Sequence, residues 1–177
     1  MRMKSLLAAL SLAALACSGQ AAAAQLNDGQ ILGIYIQVNG FDIETALLGS
    51  AQGGSDDVRN LAKHVASDHS GVRQAAYGLA EKCDVTPTLP PERNGAAVDH
   101  IEALTRLQGL KGADFDKAYV QHEVAFHRAA IEAVKTALLP SAQCADLKAH
   151  FAQALPAFEH HLQQTEALAA KVGSGAK

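Results

Sequence analysis

Histidines and acidic residues are the side chains of this sequence that could do chemistry, and they occur in four groups. The groups are Asp42 and Glu44; His64, Asp68 and His69; His122, Glu123 and His127; and Glu159, His160 and His161. Helical bundles hold metal ions with carboxylates and imidazoles from facing helices, because oxygen and nitrogen donors must converge to about 2.0–2.2 Å from a zinc-like ion. Glu123 and His127 are four residues apart, so on a helix they would share a face and could chelate one ion.

These groups have two further interpretations. Buried histidines paired with carboxylates can fix the register of helices without any ion. A di-iron site would need Glu-x-x-His on two helices. The third residue after each candidate glutamate is apolar, namely Leu47 after Glu44, Phe126 after Glu123 and Leu162 after Glu159. Ferroxidase or di-iron oxygenase chemistry is therefore not expected. Two other histidines, His100 and His150, lie near polar faces of their predicted helices and are expected to be solvated.

Four long amphipathic segments must position these groups. Apolar residues spaced three and four apart predict long helices over 28–52, 56–82, 114–138 and 142–172, with a short helix over 96–107. Ser55 and Asp114 are expected to cap two of them, and Pro156 predicts a kink or break in the last. The prolines of TPTLPPERNG forbid a helix there and leave a long crossover. This connectivity is that of a ferritin-like four-helix bundle, an all-α fold, with the short helix in the crossover.

The N-terminal residues predict export. MRMK is a short basic region, SLLAALSLAALA is an apolar stretch, and four alanines end at Ala24, which is the layout of a secretory signal peptide over residues 1–24. The alternative is a lipoprotein anchored at Cys17, which follows Ala-Leu-Ala. Either route predicts a periplasmic or secreted protein, with a bundle domain over residues 25–172 and a disordered tail over 173–177.

Charge and cysteine content narrow the class of protein further. The formal net charge of the chain is −3 and no cluster of Lys or Arg is longer than a pair, so a nucleic-acid partner is not expected. No apolar run after the signal peptide reaches membrane length. Cleavage after Ala24 would leave Cys83 and Cys144, which we expect to form a disulfide in an oxidising compartment. A redox or zinc C-x-x-C site is excluded, because no two cysteines lie close in the sequence.

Three segments resemble a known bacterial family. They are "LAKHVASDHS", "FDKAYVQHEVAFH" and "LPAFEHHL", and the resemblance to the family called domain of unknown function 4142 covers residues 33–168. It implies an exported protein with a ferritin-like helical fold and no assigned activity. The family's recurrent polar positions fall on Glu44, Asp68, His69, His127 and His161. The match is weaker in "FDIETALLG", where an aspartate replaces a glutamate and the Leu-Gly pair is displaced, and a glutamine is usual at position 123.

The resemblance selects one metal ligand from each long helix. These are Glu44, His69, His127 and His161, which we expect to meet in the bundle centre, with Asp68 and Glu123 beside them. His69 would fill a gap in the apolar seam of its helix between Val65 and Val72. Such a ligand set suits zinc, iron, manganese or copper.

Three functions remain open from the sequence. The first is a non-enzymatic envelope protein whose polar centre binds a transition metal. The second is an interaction module that presents a bundle face to an envelope protein partner, with purely structural histidines. The third is a metalloenzyme with an incomplete di-iron-like site.

Overall fold

The structure, a computed structural model, describes residues 25–174, and every regular element in that range is helical. The long elements are α1 (Asp28–Gln52), α2 (Asp56–Lys82), α3 (Asn94–Gln108), α4 (Gly112–Ala133) and α5 (Ala145–Gly173). A 3₁₀ turn, Pro91–Arg93, leads into α3, while a π-helical segment, Val134–Leu138, and a last turn, Leu139–Ser141, extend α4. The all-α prediction is confirmed. The predicted signal peptide, Cys17 within it and residues 175–177 of the predicted tail lie outside the described residues.

Two helix pairs make up most of the packing. The three residues 53–55 connect α1 to α2, and residues 142–144 connect the extended α4 to α5, so each pair packs as antiparallel neighbours. The pairs meet where α1 contacts α4 and α2 contacts α5. Among residues 25–174 no helix is long and apolar enough to cross a membrane.

The interior contains two apolar clusters with a polar layer between them. One cluster is centred on Tyr35, Leu79 and Phe151, and the other on Val58, Phe115 and Tyr119. Along each of α1, α2, α4 and α5, the buried polar residues lie between members of the two clusters, except Asp116, which accepts hydrogen bonds from the Gly54 and Ser55 N–H groups beside the second cluster. Apolar burial at both ends therefore fixes the helices that carry the polar layer.

The helix boundaries differ from the predicted ones mainly around α4. This helix begins at Gly112, so Asp114 lies in its first turn and does not cap it. At the other end of α4, the π-helical segment is followed directly by a short helical turn, Leu139–Ser141, that contains Pro140. Pro140 lies in the first turn of this short helix, where a proline needs no N–H donor. Pro156 does not break α5, which is continuous. The predicted cap at Ser55 is confirmed, because its side chain accepts a hydrogen bond from the Val58 N–H.

The crossover between α2 and α3 lies directly against α1. The Thr88 N–H donates to the Gly29 carbonyl over 3.0 Å. A Cβ atom at Gly33 would lie 2.0 Å from the Thr88 carbonyl oxygen, so only glycine allows this approach. The contact holds the crossover against the N-terminal part of α1, and it thereby places α3 across one side of the bundle.

A disulfide joins Cys83 at the end of α2 to Cys144 at the start of α5, as predicted, with an Sγ–Sγ distance of 2.07 Å. Disulfides persist in oxidising compartments, so this bond is typical of a protein exported from the cytoplasm.

Removal of this disulfide should destabilise the fold. Because the bond closes a loop with a sequence separation of 61, the double variant Cys83→Ser/Cys144→Ser should lose about 2–4 kcal/mol of unfolding free energy. Urea denaturation with and without reductant measures the loss, and reductant should leave the double variant unchanged. Equal midpoints for the two proteins under oxidising conditions would contradict a stabilising bond.

Candidate metal centre

Three of the four predicted ligands come together in the polar layer. The ring centroids of His69, His127 and His161 lie 5.3–5.8 Å apart, and one nitrogen of each lies within 4.8 Å of the others. All three side chains are buried. They come from α2, α4 and α5, so three of the four helices that form the two packed pairs contribute an imidazole to one place.

The fourth predicted ligand, Glu44, is not part of this cluster, and that prediction is wrong. Its side chain is 59% exposed and its Oε2 lies 2.8 Å from His100 Nε2 on the outside of the bundle. In its place α1 turns Asp42 inward, with a side chain only 1% exposed. Asp42 lies seven residues after the buried Tyr35, which places both on one helix face. That spacing was the signal in the sequence, but the family pattern led to Glu44 instead.

Asp42 is the point on which the donors converge. Its Oδ2 lies 3.1 Å from His69 Nε2 and 3.6 Å from His127 Nε2. Asp42, Glu123 and His127 also form a second group whose donor atoms lie within 4.8 Å of one another. The Glu123 side chain is completely buried. The carboxylates and imidazoles of these residues therefore surround one small volume.

Hydrogen bonds to the outer ring nitrogens fix which nitrogen of each imidazole carries the proton. Asn39 Nδ2 donates to the Tyr35 carbonyl oxygen over 2.7 Å, which leaves Asn39 Oδ1 as the acceptor for His69 Nδ1–H at 2.9 Å. His127 Nδ1–H donates to the Glu123 carbonyl oxygen, also over 2.9 Å. In both neutral rings Nε2 then bears a lone pair, and both lone pairs lie on the side of Asp42 Oδ2.

The centre contains a concentration of buried polar atoms without hydrogen-bond partners. Among residues 25–174, six buried side-chain atoms have no hydrogen-bond partner, and five belong to Asp42, Glu123 and His127. They are both carboxylate oxygens of each acid and His127 Nε2, and the sixth is Tyr119 Oη. Buried polar groups in proteins are nearly always paired, so this concentration marks a site that has a ligand or a shared proton.

Burial controls the charges of these groups. It lowers the pKa of His69 to about 3 and that of His127 to about 4, so both rings are neutral near pH 7. It also raises the pKa of Asp42 to about 7. Burial and then the charge of Asp42 hold the pKa of Glu123 well above its usual range. Two negative charges are therefore unfavourable here unless a cation offsets them.

His161 connects this centre to the surface. Its ring stacks on His69 with centroids 5.8 Å apart, and its Nε2 lies 3.5 Å from Oδ2 of the exposed Asp68. A cleft of about 400 Å³ begins there, lined by polar residues that include His64, His160 and Gln164. Asp68 thus lies beside a histidine of the cluster, and His64 lies on the exposed polar face of α2.

Two histidines expected to be solvated are not. His100 is buried, stacks on Phe41 with ring centroids 4.2 Å apart and contacts Glu44. His150 is half-buried, and its Nε2 lies 3.1 Å from the Tyr35 hydroxyl. The partners of both rings lie on α1, far away in the sequence, so the local pattern around each histidine could not reveal the contact.

Comparison with known proteins identifies the family. The family model described as "Domain of unknown function (DUF4142)" matches residues 14–168, which include the whole metal-centre constellation. No curated protein and no solved structure matches the chain. The matched region spans most of the chain, and the protein therefore belongs to the domain of unknown function 4142 family.

Proposed function

We propose that this protein is an exported cell-envelope protein that binds one divalent transition-metal ion in the centre of its helical bundle. Asp42, Glu123 and His127 hold the ion together with His69, whose Nε2 faces the same Asp42 oxygen. The observation that carries the proposal is the set of buried carboxylate oxygens of Asp42 and Glu123 that, with His127 Nε2, have no hydrogen-bond partner and lie close to one another.

A purely structural network accounts less well for these atoms. A network that only fixes helix register is stable when each buried acceptor meets a donor. Each buried polar atom left without a partner costs about 1–3 kcal/mol, and five such atoms belong to three neighbouring residues. A cation would accept one ligand atom from each of these three residues and would offset the negative charge of the two acids.

The donor set restricts the metal to those that accept nitrogen and oxygen ligands. Two imidazoles and two carboxylates suit zinc, iron, manganese or copper, and within residues 25–174 no thiolate is free to contribute because Cys83 and Cys144 form a disulfide. The outer nitrogens of His69 and His127 donate to Asn39 Oδ1 and a backbone carbonyl, the arrangement that orients metal-binding imidazoles in proteins.

The cell envelope is the compartment that fits the remaining features. The sequence begins with the layout of a signal peptide, and the disulfide is typical of an oxidising compartment. The cleft around Asp68, His64 and His160 opens on His69 and His161, so an ion from solvent reaches the centre through side chains that also bind metals.

Removal of one ligand should abolish tight metal binding, whereas removal of the exposed glutamate should not. Mutation of a residue that hydrogen-bonds to a metal ligand weakens metal binding by about 10–100-fold. His127→Gln removes a ligand itself, so it should weaken zinc binding by about 100-fold or more. Glu44→Gln should leave it within about twofold, because that side chain lies outside the centre. Isothermal titration of zinc into protein purified without a histidine tag measures both. Equal affinities in the two variants would contradict the proposed ligand set.

The same centre should destabilise the metal-free protein. Asp42→Asn removes a buried charge that has no donor, so it should raise the unfolding free energy of the metal-free form by about 1 kcal/mol or more. With saturating zinc the wild-type protein should have the higher unfolding free energy, because it binds zinc more tightly than the variant does. Urea denaturation with chelator and with zinc tests this. An Asp42→Asn variant that is less stable in both conditions would indicate a structural role instead.

A further inference from the structure

A second, apolar cavity lies on the other side of the metal centre. It has a volume of about 380 Å³ and lies between α1, α3 and the extended α4. Most of its wall is apolar, with Ile34 and Val38 from α1, Phe126 and Ile131 from α4, and Val134 and Leu138 from the π-helical segment. A cavity of about 150 Å³ holds benzene, so this one has room for roughly 15 non-hydrogen atoms. Its size and lining are those of a small-molecule site.

Arg93 gives this cavity one positively charged group without an acidic partner. The half-buried side chain lines the cavity, and its Nε donates to Gln37 Oε1 over 2.8 Å. None of the ion pairs found within residues 25–174 involves Arg93. Burial lowers the pKa of its guanidinium, which shows that the charge is partly removed from water. A half-buried guanidinium beside an apolar cavity is suited to a carboxylate, which it can bind through two parallel hydrogen bonds.

We propose that this cavity binds one molecule of a medium-chain monocarboxylate, with the carboxylate on Arg93 and the hydrocarbon chain among the apolar side chains. Arg93 is a lining cation without an acidic partner, whereas Asp42 of the metal centre also borders the cavity and repels a carboxylate when no ion is bound, so the head group lies at Arg93 and the hydrocarbon chain points inward. Asp99 lines the rim as well, but it lies on the exposed side of α3. The inference goes beyond the proposed metal binding and does not depend on it.

The ligand enters the cavity through the wall that α3 forms. Only His100 and Leu107 are buried in this helix, while Val98 and Ile101 are exposed, so α3 has few buried side chains to hold it in place. It covers the cavity with the small side chains of Ala96 and Ala103. Elements with few buried contacts open at low free-energy cost. The π-helical segment opposite is a feature often found at functional sites.

Equilibrium dialysis of the purified protein with radiolabelled dodecanoate tests the proposal, with dodecan-1-ol as the uncharged probe of equal chain length. Both measurements are made on metal-free and on zinc-loaded protein. Arg93→Gln keeps a donor for Gln37 but removes the charge, and it should weaken dodecanoate binding about tenfold while leaving dodecan-1-ol unchanged. Arg106→Gln removes an exposed charge of α3, the helix that follows Arg93, outside the cavity, and it should change neither.

A second pair of variants tests where the hydrocarbon chain of the ligand binds. Ala130→Leu fills part of the cavity and should weaken both probes at least tenfold, whereas Ala125→Leu adds the same group on an exposed face of α4 and should weaken neither. Circular dichroism confirms that each variant is folded.

Four outcomes would overturn the proposal. They are no binding of dodecanoate to the wild-type protein, equal weakening of both probes by Arg93→Gln, equal effects of Ala130→Leu and Ala125→Leu, and binding that needs zinc and is lost in His127→Gln. The last would place the head group on the metal. A failure of zinc binding with intact dodecanoate binding would overturn only the metal proposal.

Discussion

The close approach of two imidazole lone pairs to one buried carboxylate is the constraint around which the rest of the structure is organised. His69 and His127 each donate from the outer nitrogen to a protein oxygen, so neither ring has a proton to offer Asp42. Glu123 adds a second acid that is fully buried. Such a set is stable only with a positive charge, either a proton shared by the two acids or a metal ion. A metal ion can contact more of these carboxylate oxygens and imidazole nitrogens than a single shared proton can.

The fold holds this unfavourable arrangement in place from both ends. Apolar clusters around Tyr35 and around Phe115 lie on either side of the polar layer, and the disulfide closes the end of the bundle nearest the first cluster. Because the helices are fixed outside the centre, the polar side chains need not contribute to stability themselves. This separation of scaffold and site is common where function costs stability.

The sequence predicted the helices and the histidines better than the acids. The spacing of apolar residues was sufficient to predict α1, and that spacing with the Ser55 cap was sufficient to predict α2, whose gap in the apolar seam pointed to His69. Asp42 was missed because Glu44 fits the family pattern, although only Asp42 follows the buried face of α1. His100 and the cavity beside it were not predictable, because both depend on how α3 is placed by a long crossover. Contacts between distant segments leave no local pattern in the sequence.

The most direct test of the central claim is a crystal structure with anomalous scattering, from protein purified without a histidine tag and loaded with zinc. The account predicts one strong anomalous peak in the polar layer, about 2.0–2.2 Å from Asp42 Oδ2 and His127 Nε2. Anomalous peaks only at the exposed His64 and His160, with Asp42 and His69 still in direct contact, would contradict it.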